Sequence, residues 1–270
     1  MKSLFQKIVI TCLCAASLWG CQRKGTSFVE MEMKGGQGRT VCLYEISATQ
    51  GSFFIDSLQL DADSRGRFRF PDDSAKLYAL SGQGNANILF LIPLPGEELH
   101  LQATYDSLVA TAQLQSQLNS IEHPSPSLVL LAYQKKSENG LKELEKTEKR
   151  WTGNYYRVSN RDSLYQACVK QSDSILLWLK QEAKKTCQNN TDNLAPIFIF
   201  NKMCGTHPVF DPLQEEDWNF MHSCTLEMQK SMPGNPHVQR MLFNLKRIES
   251  ARRNEALQKE MAKRPHGSQS

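Results

Sequence analysis

The segment His123-Pro124-Ser125-Pro126 separates two parts of the sequence that differ in hydrophobic period. Upstream of it, apolar and polar residues alternate in short runs such as Leu99-His100-Leu101-Gln102-Ala103, with turn-forming stretches such as Gly35-Gly36-Gln37-Gly38 between them. Because a period of two is typical of half-buried strands, the sequence predicts an N-terminal antiparallel β-sandwich over residues 28–119. The expected strands are 28–33, 40–46, 53–60, 67–70, 77–80, 87–92, 99–103 and 108–111.

Downstream of Pro126 the apolar residues recur at helical spacing. Val238, Met241, Leu242, Leu245 and Ile248 form one such stripe. Asp211-Pro212 and Asn235-Pro236 have the chemistry of a helix N-cap followed by proline at the first helical position. The run Ile197-Phe198-Ile199-Phe200 is interpreted as a buried helix because Thr191-Asp192-Asn193 precedes it as a cap. The sequence therefore predicts an α+β protein, with an all-α helical domain at 125–262 and a disordered tail at 263–270.

The first twenty residues have the pattern of a secretion signal. Lys2 and Lys7 accompany an uncharged run, residues 8–19, that is too short for a membrane-spanning helix, which needs roughly 20 apolar residues. The ending Leu18-Trp19-Gly20-Cys21 resembles the lipobox of bacterial lipoproteins, in which the cysteine carries fatty acyl chains such as palmitate. We therefore predict a signal peptide at 1–20, lipidation at Cys21 and a tether at 21–27. Gln22, where an Asp would signal retention, favours the outer membrane, with the chain facing the periplasm.

Charge and cysteine content narrow the class of protein. The formal net charge of +4 is too small to predict nucleic-acid binding. Of eight cysteines, Cys12 and Cys14 leave with the signal and Cys21 is acylated. None of the remaining five lies in Cys-x-x-Cys spacing, which counts against a thiol-disulfide oxidoreductase. Their pairing stays open. The five are Cys42, Cys168, Cys187, Cys204 and Cys224.

Three short motifs in the strand part resemble a known lipoprotein family. They are Phe54-Ile55-Asp56-Ser57-Leu58, Gly66-Arg67-Phe68-Arg69-Phe70 and Pro95-Gly96-Glu97-Glu98-Leu99. Together with the lipobox they look like the domain of unknown function 4369, which opens lipoproteins that carry a thioredoxin-like module of the peroxiredoxin type. The resemblance implies a redox-active Trp-Cys-x-x-Cys in that later module. This sequence contains no such motif, so no catalytic residue is carried over.

Cysteines and histidines in the helical part are candidate metal ligands. Cys204, His207, His222 and Cys224 offer four potential zinc ligands, but the His-x-Cys spacing places two of them on different helix faces. A Cys204–Cys224 disulfide is the alternative, and two apolar core positions are the simplest interpretation. Asp-Ser-aliphatic triplets resemble bacterial O-glycosylation acceptors, although Asp-Ser is also turn chemistry. We predict no catalytic, cofactor-binding or metal residues.

The function expected from the sequence is a membrane-anchored, non-catalytic lipoprotein of the cell envelope that serves as a binding or scaffolding module. The alternative is an accessory subunit of a periplasmic thiol-disulfide system whose thioredoxin-like domain is on another chain. Residues 27–119 are expected to fold alone, since a segment of roughly 100 residues can bury its own core. The helical part is expected to expose an apolar groove that a protein partner or a second copy covers.

Overall fold

The computed structural model describes residues 26–71, 75–84 and 87–263 and has an α+β fold. The predicted signal peptide, Cys21 and residues 264–270 lie outside the described residues. Eight strands precede residue 117 in this part of the chain. They are β1 (Phe28–Lys34), β2 (Thr40–Ser47), β3 (Gly51–Gln59), β4 (Arg65–Arg69), β5 (Leu77–Gly82), β6 (Ile88–Leu91), β7 (Glu98–Thr104) and β8 (Gln113–Ser116).

The strands form two four-stranded sheets. The first has the order β4-β1-β7-β8 and the second the order β3-β2-β5-β6. The prediction of purely antiparallel sheets is wrong for the first, because β1 and β7 run parallel, with Phe28 opposite Glu98 and Lys34 opposite Thr104. After β4 the chain crosses to the second sheet for β5 and β6. The chain then returns to the first sheet as β7, which lies beside β1 and runs in the same direction. A hairpin connection would have made the two strands antiparallel.

Helices dominate after residue 125. They follow the short α1 (Leu108–Thr111), which lies between β7 and β8. The later helices are α2 (Pro126–Asn154), α3 (Arg161–Gln188), α4 (Ala195–Phe200), α5 (Glu215–Ser231) and α6 (Pro236–Lys263). A two-stranded hairpin that the helical pattern did not predict, β9 (Met203–Cys204) with β10 (His207–Pro208), follows α4. No helix in the described ranges is both long and apolar enough to cross a bilayer.

Two local expectations are wrong. Residues 108–111 form a helix rather than a strand, because Tyr105, Leu108 and Ala112 are buried at the i, i+3, i+7 positions of one helical face. The strand at this place is β8, in which buried Leu114 alternates with exposed glutamines. Asp211-Pro212 does not begin a helix. The Asp211 carboxylate accepts a hydrogen bond from the Leu213 backbone N–H at 2.9 Å in a turn, and α5 begins at Glu215.

Other helix predictions are confirmed. Residues 197–200 lie in the buried α4, and α6 begins at Pro236 after Asn235, whose side chain accepts from the His237 N–H at 2.9 Å. Gly140, inside α2, is explained by packing. A Cβ atom there would lie 2.7 Å from Leu179 of α3, so a glycine lets the two long helices approach.

Two apolar clusters share the second sheet. One lies between the sheets and combines Val29 and Leu99 of the first with Leu43 and Leu80 of the second. The other joins the opposite face of the second sheet to the helices and includes Leu77. Strand β5 therefore contributes to both clusters, and all six of its residues are buried. The second sheet is a middle layer between the first sheet and the helices.

Candidate functional site

A cavity of about 650 Å³ lies where the helices meet the end of the β2–β3 hairpin. Its volume falls within the range of small-molecule sites, roughly 300–1,000 Å³. Half of the side chains around it are apolar and none of the described ones is a carboxylate. The lining residues are Ile46, Ser47, Ala48, Gly51, Ser52, Leu77, Phe90, Ile197, Phe198, Asn201, Lys202, Met203, His237, Arg240, Met241 and Asn244.

The short helix α4 supplies one wall of the cavity. Asn193 begins it by accepting a hydrogen bond from the Ala195 N–H at 2.9 Å, and Asn201 ends it by donating to the Ile197 carbonyl at 2.7 Å. The ring of Phe198 packs on Phe90 of β6 with 4.6 Å between centroids. Polar groups thus fix both ends of α4, while its aromatic face holds the helix against the sheet.

Helix α6 supplies the opposite wall and is attached to the strands at its first turn. The Asn235 amide donates to the Ala75 carbonyl at 3.0 Å. Burial lowers the pKa of His237, against the opposing effects of the Glu45 carboxylate and a hydrogen bond to the Ile46 backbone. Burial thus favours the neutral imidazole, and its hydrogen bond to the Ile46 backbone attaches α6 to β2.

Two cations give the cavity its charge. Lys202 lies 5.8 Å from the ring centroid of Phe198, and the Arg240 guanidinium lies 5.5 Å from that of Phe243. Both side chains line the cavity and are partly exposed. Since the described lining holds two cations and no carboxylate, it favours an anionic group on any ligand.

A second groove of about 540 Å³ continues from the cavity along α6. Four residues border both spaces: Asn201, Met203, Met241 and Asn244. Phe210, Leu245 and Ile248 make its far part apolar, and Arg247 adds a further cation. In the described part of the chain the helices thus form a partly apolar groove, and the prediction that a partner or a second copy covers such a groove stays a prediction.

The serines of the cavity have structural roles or no base beside them. The Ser47 hydroxyl accepts from the Thr49 and Gln50 N–H groups at 3.2 and 3.3 Å and so closes the β2–β3 turn. No hydrogen bond joins His237 to a serine within the described ranges.

The zinc site considered from the sequence is not formed. Cys204 and Cys224 are buried, whereas His207 is exposed and His222 stacks on Trp218 at 4.7 Å. No group of three or more possible ligands occurs in the described part of the chain. The five cysteines described are free and buried, so the Cys204–Cys224 disulfide is not present either.

Three of these cysteines lie near one another in the helical core. Burial is the main cause of a raised thiol pKa at Cys187, Cys204 and Cys224, to about 11 at Cys224. Tyr133 lies close to Cys187 and Cys204, and its own pKa is raised chiefly by burial. Neutral, buried thiols are poor nucleophiles and poor metal ligands.

Sequence patterns could not show that Lys202 and Arg240 line the same cavity. They belong to different elements, and each looks like an ordinary surface cation in its own segment. A partial signal was present in the Asn235-Pro236 cap, which correctly placed the start of α6.

No protein-family model, curated protein or solved structure matches this chain. The resemblance to the domain of unknown function 4369 therefore stays a prediction from the sequence.

Proposed function

We propose that this chain is a lipid-anchored, non-catalytic binding protein of the cell envelope, held at the outer membrane through Cys21. The cavity is its ligand site, and the ligand is an amphipathic molecule with an apolar body and an anionic group. The observation that carries this proposal is the lining itself. Apolar side chains from β2, β6 and α4 surround a space that also holds Lys202 and Arg240 and no described carboxylate.

For the architecture we propose a β-sandwich over 28–119 followed by a helical domain over 125–262. The all-α prediction for this domain is wrong only at the β9–β10 hairpin. Support comes from the single apolar cluster that side chains of both sheets share. Further support is the change from strands to helices between Ser116 and Pro126. In this arrangement the ligand site lies at the junction of two domains, a common place for small-molecule sites.

The thiol-disulfide alternative receives less support. An accessory to a thiol-redox partner would gain from an accessible cysteine of low pKa, whereas Cys187, Cys204 and Cys224 are buried and their pKa values are raised. We therefore favour the binding role.

The test is a titration of a fluorescent long-chain fatty acid into the chain from residue 22 onward, which contains every described residue. Arg240→Glu should weaken binding about tenfold or more, because a hydrogen bond to a charged group contributes about 1.5–3 kcal/mol. Lys149→Glu is the control, since Lys149 is an exposed cation on α2, paired with Glu145. An uncharged fatty alcohol of equal length should bind more weakly than the acid. Equal affinity of wild type and Arg240→Glu for the acid would contradict the proposal.

A further inference from the structure

Three consecutive apolar residues, Phe53, Phe54 and Ile55, are exposed on β3. Strand β3 is an edge of the second sheet, and eight of its nine residues are exposed. Ile55 is the extra residue of a bulge, since Leu43 pairs with Asp56 and Tyr44 with Phe54. The only ring near Phe54 among the described residues is that of Tyr44, at 5.9 Å. The exposed apolar patch of β3, here called the arm of the β2–β3 hairpin, is thus left uncovered by the rest of the described fold.

The register places this arm at the end of the molecule where residue 26 emerges. Phe28 pairs with Arg69 of β4 and with Glu98 of β7. From Arg69 the chain reaches Leu77 in eight residues, and Leu77 pairs with Ile46, next to the hairpin turn. The ring of Phe70 lies 4.8 Å from that of Tyr78, so the two sheet ends are adjacent. We call this the tether end.

Cations lie beside the arm. Ser47, Ala48, Gly51 and Ser52 of the hairpin line the same cavity as Lys202 and Arg240. Exposed Met203 lies next to Lys202. The carboxylates of the hairpin near the arm are Glu45, paired with Lys76 at 3.2 Å, and Asp56, which accepts from the Ser57 N–H. Glu98, opposite Phe28, is an exposed carboxylate at the tether end. Apolar side chains flanked by cations form the pattern that suits a membrane interface, where each Lys or Arg near an anionic surface contributes on the order of 1 kcal/mol.

We propose that the tether end rests on the anionic phospholipid surface, with the β2–β3 hairpin inserted among the lipids and Lys202 and Arg240 against headgroup phosphates. This inference rests on the proposed lipid anchor. Ser27, which the sequence placed in the tether, is buried and hydrogen-bonded to Leu94. Residues 22–26 therefore extend at most about 17 Å and keep the tether end near the bilayer. The cavity then opens beside the membrane, which supplies amphipathic anions. A single weak contact of this kind would not hold the chain without the anchor.

The test uses the chain from residue 22 with an N-terminal hexahistidine tag on vesicles that contain nickel-chelating lipid, so that it does not depend on acylation. Phe54→Trp places an indole on the arm, where the side chain is 59% exposed. Tyr165→Trp is the matched control, with 49% exposure. The control position is far from the tether end. Near that end, the Ser127 hydroxyl of α2 accepts a hydrogen bond from the Ile92 N–H. Trp151 lies about 36 Å further along α2, and its ring centroid is 5.3 Å from that of Tyr165.

Brominated acyl chains in vesicles with phosphatidylglycerol should quench Phe54→Trp at least twofold more than Tyr165→Trp. The difference should fall in phosphatidylcholine alone and in Phe54→Trp that also carries Lys202→Glu and Arg240→Glu. Phe53→Trp should behave as Phe54→Trp does. Equal quenching at both positions would overturn the proposal. The proposal would also be overturned if the lipids did not quench the indole on the arm and its exposure to solvent fell as protein concentration rose. That result would show that a second copy covers β3. Failure of acylation at Cys21 would count against the proposed function, not against this surface.

Discussion

Strands β3 and β5 flank the same strand, β2, and yet they have opposite environments. Every residue of β5 is buried, including Ser81 and Gly82, whereas β3 is exposed on both faces at Phe53 and Phe54. The composition of a strand therefore did not decide its burial. What decided it was the presence of neighbouring layers, since the helices and the first sheet enclose β5 and end before the arm of β3.

The largest effect is expected when the helical layer is removed. The sequence predicted that residues 27–119 fold alone, but in the structure Leu77 and Ile92 are buried against helices, with Ile46 and Phe90 packed beside them. We now expect this fragment to bind a hydrophobic dye and to unfold without a cooperative transition, because one face of the second sheet loses its cover. Thermal melts followed by circular dichroism measure this, and residues 120–263 added in trans should restore the transition. A monomeric fragment that unfolds cooperatively and binds no dye would support the original expectation.

A smaller effect separates the two strands directly. Leu80→Ala in β5 should lower the free energy of unfolding by about 2–5 kcal/mol, because Leu80 is fully buried between the sheets. Phe53→Ala in β3 should change it by only about 0.5 kcal/mol, since that side chain packs little. Urea denaturation of both variants checks the pair. Similar losses would mean that the arm is covered in solution.

The edge opposite β3 is protected by a side chain. Gln134 of α2 accepts from the Phe90 N–H and donates to the Ile88 carbonyl, both at 3.1 Å, and so pairs with β6 as another strand would. Gln134→Ala should cost about 1–3 kcal/mol of unfolding free energy, because two backbone groups lose their partners. Gln166→Ala, at an exposed position of α3, is the control. Equal stability of the two variants in urea would show that water replaces the amide without cost.

The contact between α6 and β2 predicts a pH dependence. Burial lowers the pKa of His237 below its ordinary value of 6.5, so the unfolded chain binds a proton at a higher pH than the folded chain does. The contribution of the buried neutral imidazole to the free energy of unfolding is therefore fully present above pH 6.5. It is lost as the pH falls toward the pKa of His237 in the folded chain. Unfolding free energy measured from pH 8 to 5 should decline less in His237→Gln than in wild type. His123→Gln, in an exposed loop, should follow wild type.

Periodicity predicted much of the fold because it reports which face of an element is buried. Seven of the eight expected strands follow from it. The buried helix at 197–200 was predicted from the Thr191-Asp192-Asn193 cap that precedes it, not from its apolar pattern. Residues 108–111 were misassigned because a four-residue apolar run does not distinguish strand from helix without Tyr105 and Ala112 on the same face. The parallel pairing of β1 with β7 depends on a crossing between sheets, which no local pattern records.

The candidate site was less predictable than the fold. Arg240 and Lys202 line one cavity because α6 and the segment after α4 both lie at the end of the second sheet. The cysteines and histidines that the sequence singled out are instead separated by burial: Cys204 is inside the core and His207 is outside it. Long-range packing thus forms the cavity lined by Lys202 and Arg240, and it keeps Cys204 and His207 apart.

The most direct test of the proposed function is metabolic labelling with a fatty-acid analogue in cells that express the full chain. The wild type should take up the label and fractionate with the outer membrane. Cys21→Ala should take up none, while Cys42→Ala, which changes a buried cysteine of β2, should be labelled as the wild type is. Equal labelling of wild type and Cys21→Ala would contradict the lipid anchor on which the account depends.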